Sequence, residues 1–124
     1  MNRHPDNVLN AEPFSGVFMH WTLLSYVNHQ SKVDPQSLSI ETICMGVLLS
    51  DTQERFANCR PIRTSLIHSF DLLNMSIKTQ NSKYQLCGPG SFQTVPIHQL
   101  DTRYQRIRKS ISSVAKTMRE NRFH

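Results

Sequence analysis

The hydrophobic pattern of the chain changes its period once, after the breaker sequence Gly88-Pro89-Gly90. Beyond that point apolar side chains recur at alternating intervals of three and four residues, which is the spacing of one face of an α-helix. Pro96 suits a first helical turn, where a missing N–H leaves no hydrogen bond unmade, so the pattern predicts an amphipathic helix over residues 96–121. Alternatively, Asp101 caps a helix that starts later. The apolar stripe consists of Ile97, Leu100, Tyr104, Ile107, Ile111, Val114 and Met118.

Before the break the pattern is that of β-strands. Residues 39–50 form a nearly continuous apolar run rich in β-branched side chains, typical of a strand buried on both faces. Gly46 within this run indicates a bulge or a close approach of another backbone. Residues 62–70 alternate in polarity, and residues 75–87 read as a hairpin with a short turn near Asn81.

The segment 14–27 fits two patterns. Phe14, Val17, Phe18, Trp21 and Leu24 have helical spacing, whereas the same segment is rich in the aromatic and β-branched residues of a strand. It lacks strong helix formers and a clear N-terminal cap, which favours the strand.

Together these elements predict an α+β fold: a small antiparallel β meander or partly closed barrel with a C-terminal amphipathic α-helix. A length of 124 residues suits a single domain. We expect four parts in it: a loose N-terminal arm, a β-rich body with loops near 29–37 and 51–60, a linker and the helix. Their bounds are 1–13, 17–87, 88–95 and 96–121.

The charge distribution adds a feature that the hydrophobic pattern does not show. Residues 1–100 carry equal numbers of acidic and basic side chains, so the net charge of +5 resides in the last 24 residues. Because these basic residues surround the stripe and do not gather on one side, a solvated helix face is favoured, with phosphate contact as the alternative. They are Arg103, Arg106, Arg108, Lys109, Lys116, Arg119 and Arg122.

The apolar stripe must be covered by another apolar surface. Packing onto the open face of the sheet within one chain is the ordinary α+β arrangement, and we favour it. Pairing with the same stripe of a second copy is the alternative, because a narrow apolar seam is also the coiled-coil pattern. The stripe is therefore a candidate interaction and homodimerisation surface.

Candidate chemistry is sparse. Cys44, Cys59 and Cys87 are widely spaced and the six histidines are scattered, which predicts neither a metal site nor a cofactor. A hydrolase built on Ser65 and His68 is a weak alternative, because strict strand alternation places these side chains on opposite faces of the sheet. We expect a protein that is not an enzyme and has no catalytic residues.

Part of the body resembles a pattern in small uncharacterised bacterial proteins that are often encoded on mobile elements and integron gene cassettes. The similarity covers about residues 43–87, and Trp21 belongs to the same pattern. Its most recognisable segments are Gly46-Val47-Leu48-Leu49-Ser50-Asp51, Arg55-Phe56, Ile62-Arg63-Thr64-Ser65-Leu66-Ile67, Ile77-Lys78-Thr79 and Tyr84-Gln85-Leu86. Where that pattern has an Asp-Gly turn, this chain has Asn58-Cys59-Arg60. The resemblance implies a bacterial β-rich domain with no established activity.

The sequence thus predicts an interaction or dimerisation module, with non-specific nucleic-acid binding through the basic helix as the main alternative. The polar N-terminus has no apolar run typical of a signal peptide, and residues 14–27 are too short and too polar to span a bilayer. We therefore expect a cytoplasmic protein without membrane contact.

Overall fold

Two long antiparallel strands form the centre of the sheet. They are β1 (Gly16–His29) and β2 (Leu38–Leu49), seen in a computed structural model that describes residues 14–29, 38–49 and 59–121. Of the two interpretations of the segment 14–27, the strand is therefore the one observed. The predicted N-terminal arm lies outside the described residues, as do most of the two predicted loops.

Five short strands complete the sheet. β2 is flanked by β3 (Arg60–Arg63), and a sheet order β3-β2-β1-β6-β5-β4 results. The fifth short strand, β7, pairs with β1 directly beyond β6, on the same edge. The remaining strands are β4 (Ser69–Asp71), β5 (Ser76–Lys78), β6 (Lys83–Cys87) and β7 (Ser91–Val95). The predicted α+β class is confirmed, with a mostly antiparallel sheet that is not closed.

The strand order differs from a sequential meander, because β6 and β7 both run parallel to β1. The cause lies in residues 64–68, which interrupt the single strand expected over 62–70. Here the backbone N–H groups of Thr64 and Ile67 donate to the carbonyls of Cys44 and Thr42, at 2.9 and 2.8 Å. The segment after β3 thus runs beside β2. The strands that follow it, from β4 to β7, then lie on the side of β1 away from β2.

A β-bulge divides β1 into two halves. Met19 pairs with Val47 but Thr22 pairs with Met45, so β1 carries one extra residue at this point. His20 in the bulge has a φ of 52°, in the left-handed region. The opposite strand accommodates it with Gly46, where a Cβ would lie 3.0 Å from the Phe18 ring. The close approach indicated by this glycine is therefore confirmed.

The sheet buries apolar side chains on both faces. The first core lies between the sheet and helix α1 (Leu100–Asn121), and contains side chains such as Leu24, Met45 and Val47. The second core lies on the other face, and its buried members are Phe18, Trp21, Leu23, Cys44, Ile77 and Leu86. A 3-10 turn (Ile97–Gln99) precedes α1, so the predicted helix is observed from residue 100 onward.

The predicted breaker Gly88-Pro89-Gly90 also packs against the side chain of Trp21. The indole Nε1 donates a hydrogen bond to the Gly88 carbonyl at 3.1 Å. A Cβ on Gly90 would lie only 2.1 Å from indole Cδ2, so no side chain fits there. The predicted linker 88–95 is wrong in its second half, because the tripeptide is followed at once by β7.

Candidate anion-binding cleft

Helix α1 is held to the sheet by its apolar stripe. Ile107 and Ile111 are buried in the first core, as is Ala115, which falls one turn after Ile111 and is not part of the predicted stripe. Leu100, Tyr104, Val114 and Met118 are partly buried against the same core. Ile97 lies before α1 and remains 46% exposed. The described chain thus covers the part of the stripe that lies on α1, as the favoured alternative expects, and leaves Ile97 outside this contact.

The basic residues of the tail lie on different sides of α1. Arg103 and Arg106 line a cleft on the β7 side, whereas Arg108 lines a smaller cavity on the β3 side. The guanidinium of Arg119 donates to the Cys59 carbonyl and so ties the end of α1 to the segment before β3. Lys109 and Lys116 are exposed, and Arg122 lies outside the described residues. The charges surround the stripe, as the sequence indicates.

An open cleft of about 520 Å³ lies between α1 and the β1–β7 edge of the sheet. We call it the α1–β7 cleft. This volume falls in the range usual for small-molecule sites. Three apolar side chains of α1 border it beside polar groups from both the helix and the sheet. Its lining consists of His20, Thr22, Gln93, Arg103, Arg106, Ile107, Ser110, Ile111 and Val114.

A chain of polar contacts positions Arg103 in this cleft. One guanidinium N–H of Arg103 donates to Gln93 Oε1 at 2.8 Å. The Gln93 amide in turn donates to Ser91 Oγ at 3.4 Å, and this hydroxyl lies 3.1 Å from Thr22 Oγ1. Since a guanidinium has five N–H donors, the contact with Gln93 orients Arg103 and leaves further donors for a ligand.

His20 enters the cleft wall because of the bulge in β1. A residue other than glycine with positive φ stores on the order of 1–3 kcal/mol of backbone strain, and such strain concentrates at functional sites. Bulges likewise re-aim side chains next to binding sites. Sequence reasoning missed His20, since the extra residue that turns it outward depends on pairing with β2.

The electrostatic character of the cleft follows from Arg103 and Arg106. Residues three apart on a helix are neighbours on its surface, so the two guanidinium groups flank the same space. Among the described residues that line the α1–β7 cleft, none is acidic. The described part of the cleft wall therefore holds no counter-charge, and an anion placed between the arginines would be stabilised.

The opposite flank of α1 has a different character. Arg63 and Tyr104 line two smaller cavities there, of about 340 and 270 Å³. The Arg63 guanidinium lies 5.7 Å from the centre of the Tyr104 ring, within cation–π range. The larger of the two also contains Asp101 and Tyr26, whose pKa is raised by burial and by a hydrogen bond with Glu41. The carboxylate of Asp101 makes the larger of these two cavities less suited to an anion.

The other candidate residues do not converge on a site. Ser65 and His68 are both exposed, in the irregular segment that replaces the expected strand. Thr64 beside them is buried, and its hydroxyl accepts the Cys44 N–H at 3.0 Å and donates to the Ser65 carbonyl at 2.7 Å. This hydroxyl holds the chain against β2.

The cysteines lie apart from the cleft. Cys44 and Cys59 are buried thiols and Cys87 is an exposed one. No cluster of three or more metal-ligating side chains occurs in ranges 14–29, 38–49 and 59–121. No helix in these ranges is both long and apolar enough to span a membrane.

Comparison with protein-family models, with curated proteins and with solved structures finds no match to this chain. The resemblance of residues 43–87 to proteins of mobile elements therefore stays a prediction. The geometry of the α1–β7 cleft is therefore the basis for a proposed function.

Proposed function

We propose that this protein is a non-enzymatic binding module that holds an anionic group of its ligand in the α1–β7 cleft. The observation that carries the proposal is the pair Arg103 and Arg106, which line one cleft together with no acidic residue among its described neighbours. We thus assign the interaction function to the flank of α1 that faces β7, and not to the apolar stripe.

The chemistry of the pair supports a carboxylate or phosphate ligand. Guanidinium groups present N–H donors in a planar fork that matches two oxygens of such an anion, and they stay charged at any physiological pH. Ile107 and Ile111 are 7% and 5% exposed and lie beside the arginines, so part of the cleft wall is apolar. A less polar surrounding strengthens each charge-assisted hydrogen bond.

The test is an NMR titration of the full chain with inorganic phosphate, sulfate and citrate at low salt. We expect saturable shifts of the backbone amides of Thr22, Gln93 and Ser110, which line the cleft. Arg106→Ala should weaken binding by roughly tenfold to a hundredfold, because a hydrogen bond to a charged group contributes about 1.5–3 kcal/mol. The matched control is Arg108→Ala, which removes the same charge from the other flank of α1.

Two results would contradict the proposal. Shifts that do not saturate, or that spread evenly over the basic surface, would exclude a defined site. An equal loss in the Arg106 and Arg108 variants would mean that only net charge matters. Duplex DNA gives a further outcome. If its affinity falls equally in the Arg106 and Arg108 variants and decreases steeply with salt, the tail is a non-specific nucleic-acid surface instead.

A further inference from the structure

The strand that borders the α1–β7 cleft has one edge that pairs with no other strand among the described residues. β7 (Ser91–Val95) hydrogen-bonds to β1 on one side, and no other described strand pairs with its outer side. Alternate N–H and C=O groups of an edge strand point away from the sheet. Such an edge is where an extended peptide adds to a sheet, with main-chain hydrogen bonds supplying affinity and side-chain surfaces supplying selectivity.

The two faces of β7 differ in chemistry. On the α1 face, Gln93 contacts Arg103, and Val95 is buried in the first core. On the other face Phe92 is 62% exposed, with its ring centre 5.5 Å from that of Trp21 and 5.7 Å from that of Phe70. A strand added to this edge would therefore have arginines beside one face and an exposed aromatic side chain beside the other.

We propose that the α1–β7 cleft and the β7 edge together bind an extended partner segment in which acidic and apolar side chains alternate. Side chains of a strand point alternately to its two faces, so such a segment directs every second residue toward Arg103 and Arg106 and the others toward Phe92. The positive charge of the cleft, whose described lining residues include no carboxylate, selects an acidic occupant. This inference rests on the proposed function, because the arginines are the same.

The experiment measures fluorescence anisotropy of labelled seven-residue peptides on the full chain. The probe has the sequence Val-Glu-Val-Glu-Val-Glu-Val with blocked ends. One comparison peptide has the same composition in the order Glu-Glu-Val-Val-Val-Val-Glu. Two others are the probe with N-methyl groups on its Glu amides or on its Val amides. Strand addition predicts that the probe binds roughly tenfold more tightly than the composition isomer and than one of the two N-methylated peptides, the one whose methyl groups face β7.

Two variants of the protein locate the surface. Phe92→Ala and Arg106→Ala should each weaken binding of the probe several-fold. Leu73→Ala is the matched control and should leave it unchanged, because Leu73 is 95% exposed but belongs to the turn between β4 and β5. Circular dichroism and a thermal melt establish that each variant is folded.

The outcomes separate the two proposals. If phosphate binds in the cleft but the probe and all its comparison peptides bind alike, strand addition is wrong and the anion site stands. If neither phosphate nor peptide binds, the anion site itself is wrong. If the chain instead forms dimers that Phe92→Ala disrupts, the β7 edge pairs with a second copy, and the proposal of an acidic partner is overturned.

Discussion

The attachment of α1 to its own sheet can be tested at Ile111. This side chain is 5% exposed and belongs to the first core, one turn from both Ile107 and Ala115. Replacement of a buried isoleucine by alanine destabilises proteins by about 2–5 kcal/mol, more where the cavity stays empty. Ile111 also borders cavities on both flanks of the helix, so water can enter the space it leaves. We therefore expect a loss in the lower part of that range, about 2–3 kcal/mol.

The control is Ile97→Ala, which removes the same atoms from a stripe residue that precedes α1 and is 46% exposed. Its expected effect is about 0.5 kcal/mol, the usual limit for surface substitutions. Urea unfolding followed by fluorescence of the single tryptophan, buried Trp21, gives both values, provided that the slope with denaturant is unchanged.

The same unfolding curves, recorded at two protein concentrations a hundredfold apart, distinguish the two ways of covering the stripe. Docking within the chain predicts the same midpoint at both concentrations. A midpoint that rises with concentration would show that folding is coupled to association, as it is when stripes of two copies cover each other. Equal losses for the variants at Ile97 and Ile111 would likewise refute the observed packing.

Three further predictions concern other parts of the molecule. Gly90→Ala should destabilise the protein by about 3 kcal/mol or more, because its Cβ would overlap a buried indole ring, and a thermal melt that moves little would contradict this packing. Hydrogen bonds from the side chain and backbone of Asn74 hold the pKa of the exposed Asp71 carboxyl below its ordinary value. Their stabilising contribution is therefore present above about pH 4 and is lost as the pH falls through the lowered pKa; Asn74→Ala should raise that pKa in an NMR titration. A thiol reagent at pH 8 should modify exposed Cys87 rapidly and buried Cys44 only on unfolding, since burial raises the pKa of Cys44 to about 12; equal rates would refute this difference.

Local periodicity explains which elements were predictable from the sequence. The α1 stripe and the hairpin of β5 and β6 are encoded by neighbouring residues, and both are observed. The segment Ser91–Val95 contains only two apolar side chains, and its partner β1 lies about 70 residues earlier in the chain. The parallel pairing of β7 therefore depends on the path of the chain between β1 and β7. The sequence of Ser91–Val95 alone does not predict it.

The candidate site was predictable only in its parts. Arg103 and Arg106 stand among the seven basic residues of the tail, but their joint position in one cleft depends on how α1 is rotated on the sheet. That rotation is fixed by burial of Ile107, Ile111 and Ala115. The sequence gives no indication that Gln93 belongs to the site, because its contact with Arg103 requires β7 to be a strand.

The bulge in β1 connects the cleft to the core on the other side of the sheet. In a regular strand Phe18 and Trp21, three residues apart, would point to opposite faces, yet both are buried in the second core. The extra residue restores Trp21 to the face of Phe18 and at the same time directs His20 to the cleft. Gly46 and Gly90 provide the space this arrangement needs, since a Cβ at either position would meet the residues around the bulge. Because one backbone irregularity serves both faces, a change in the packing of the second core would also alter the wall of the α1–β7 cleft.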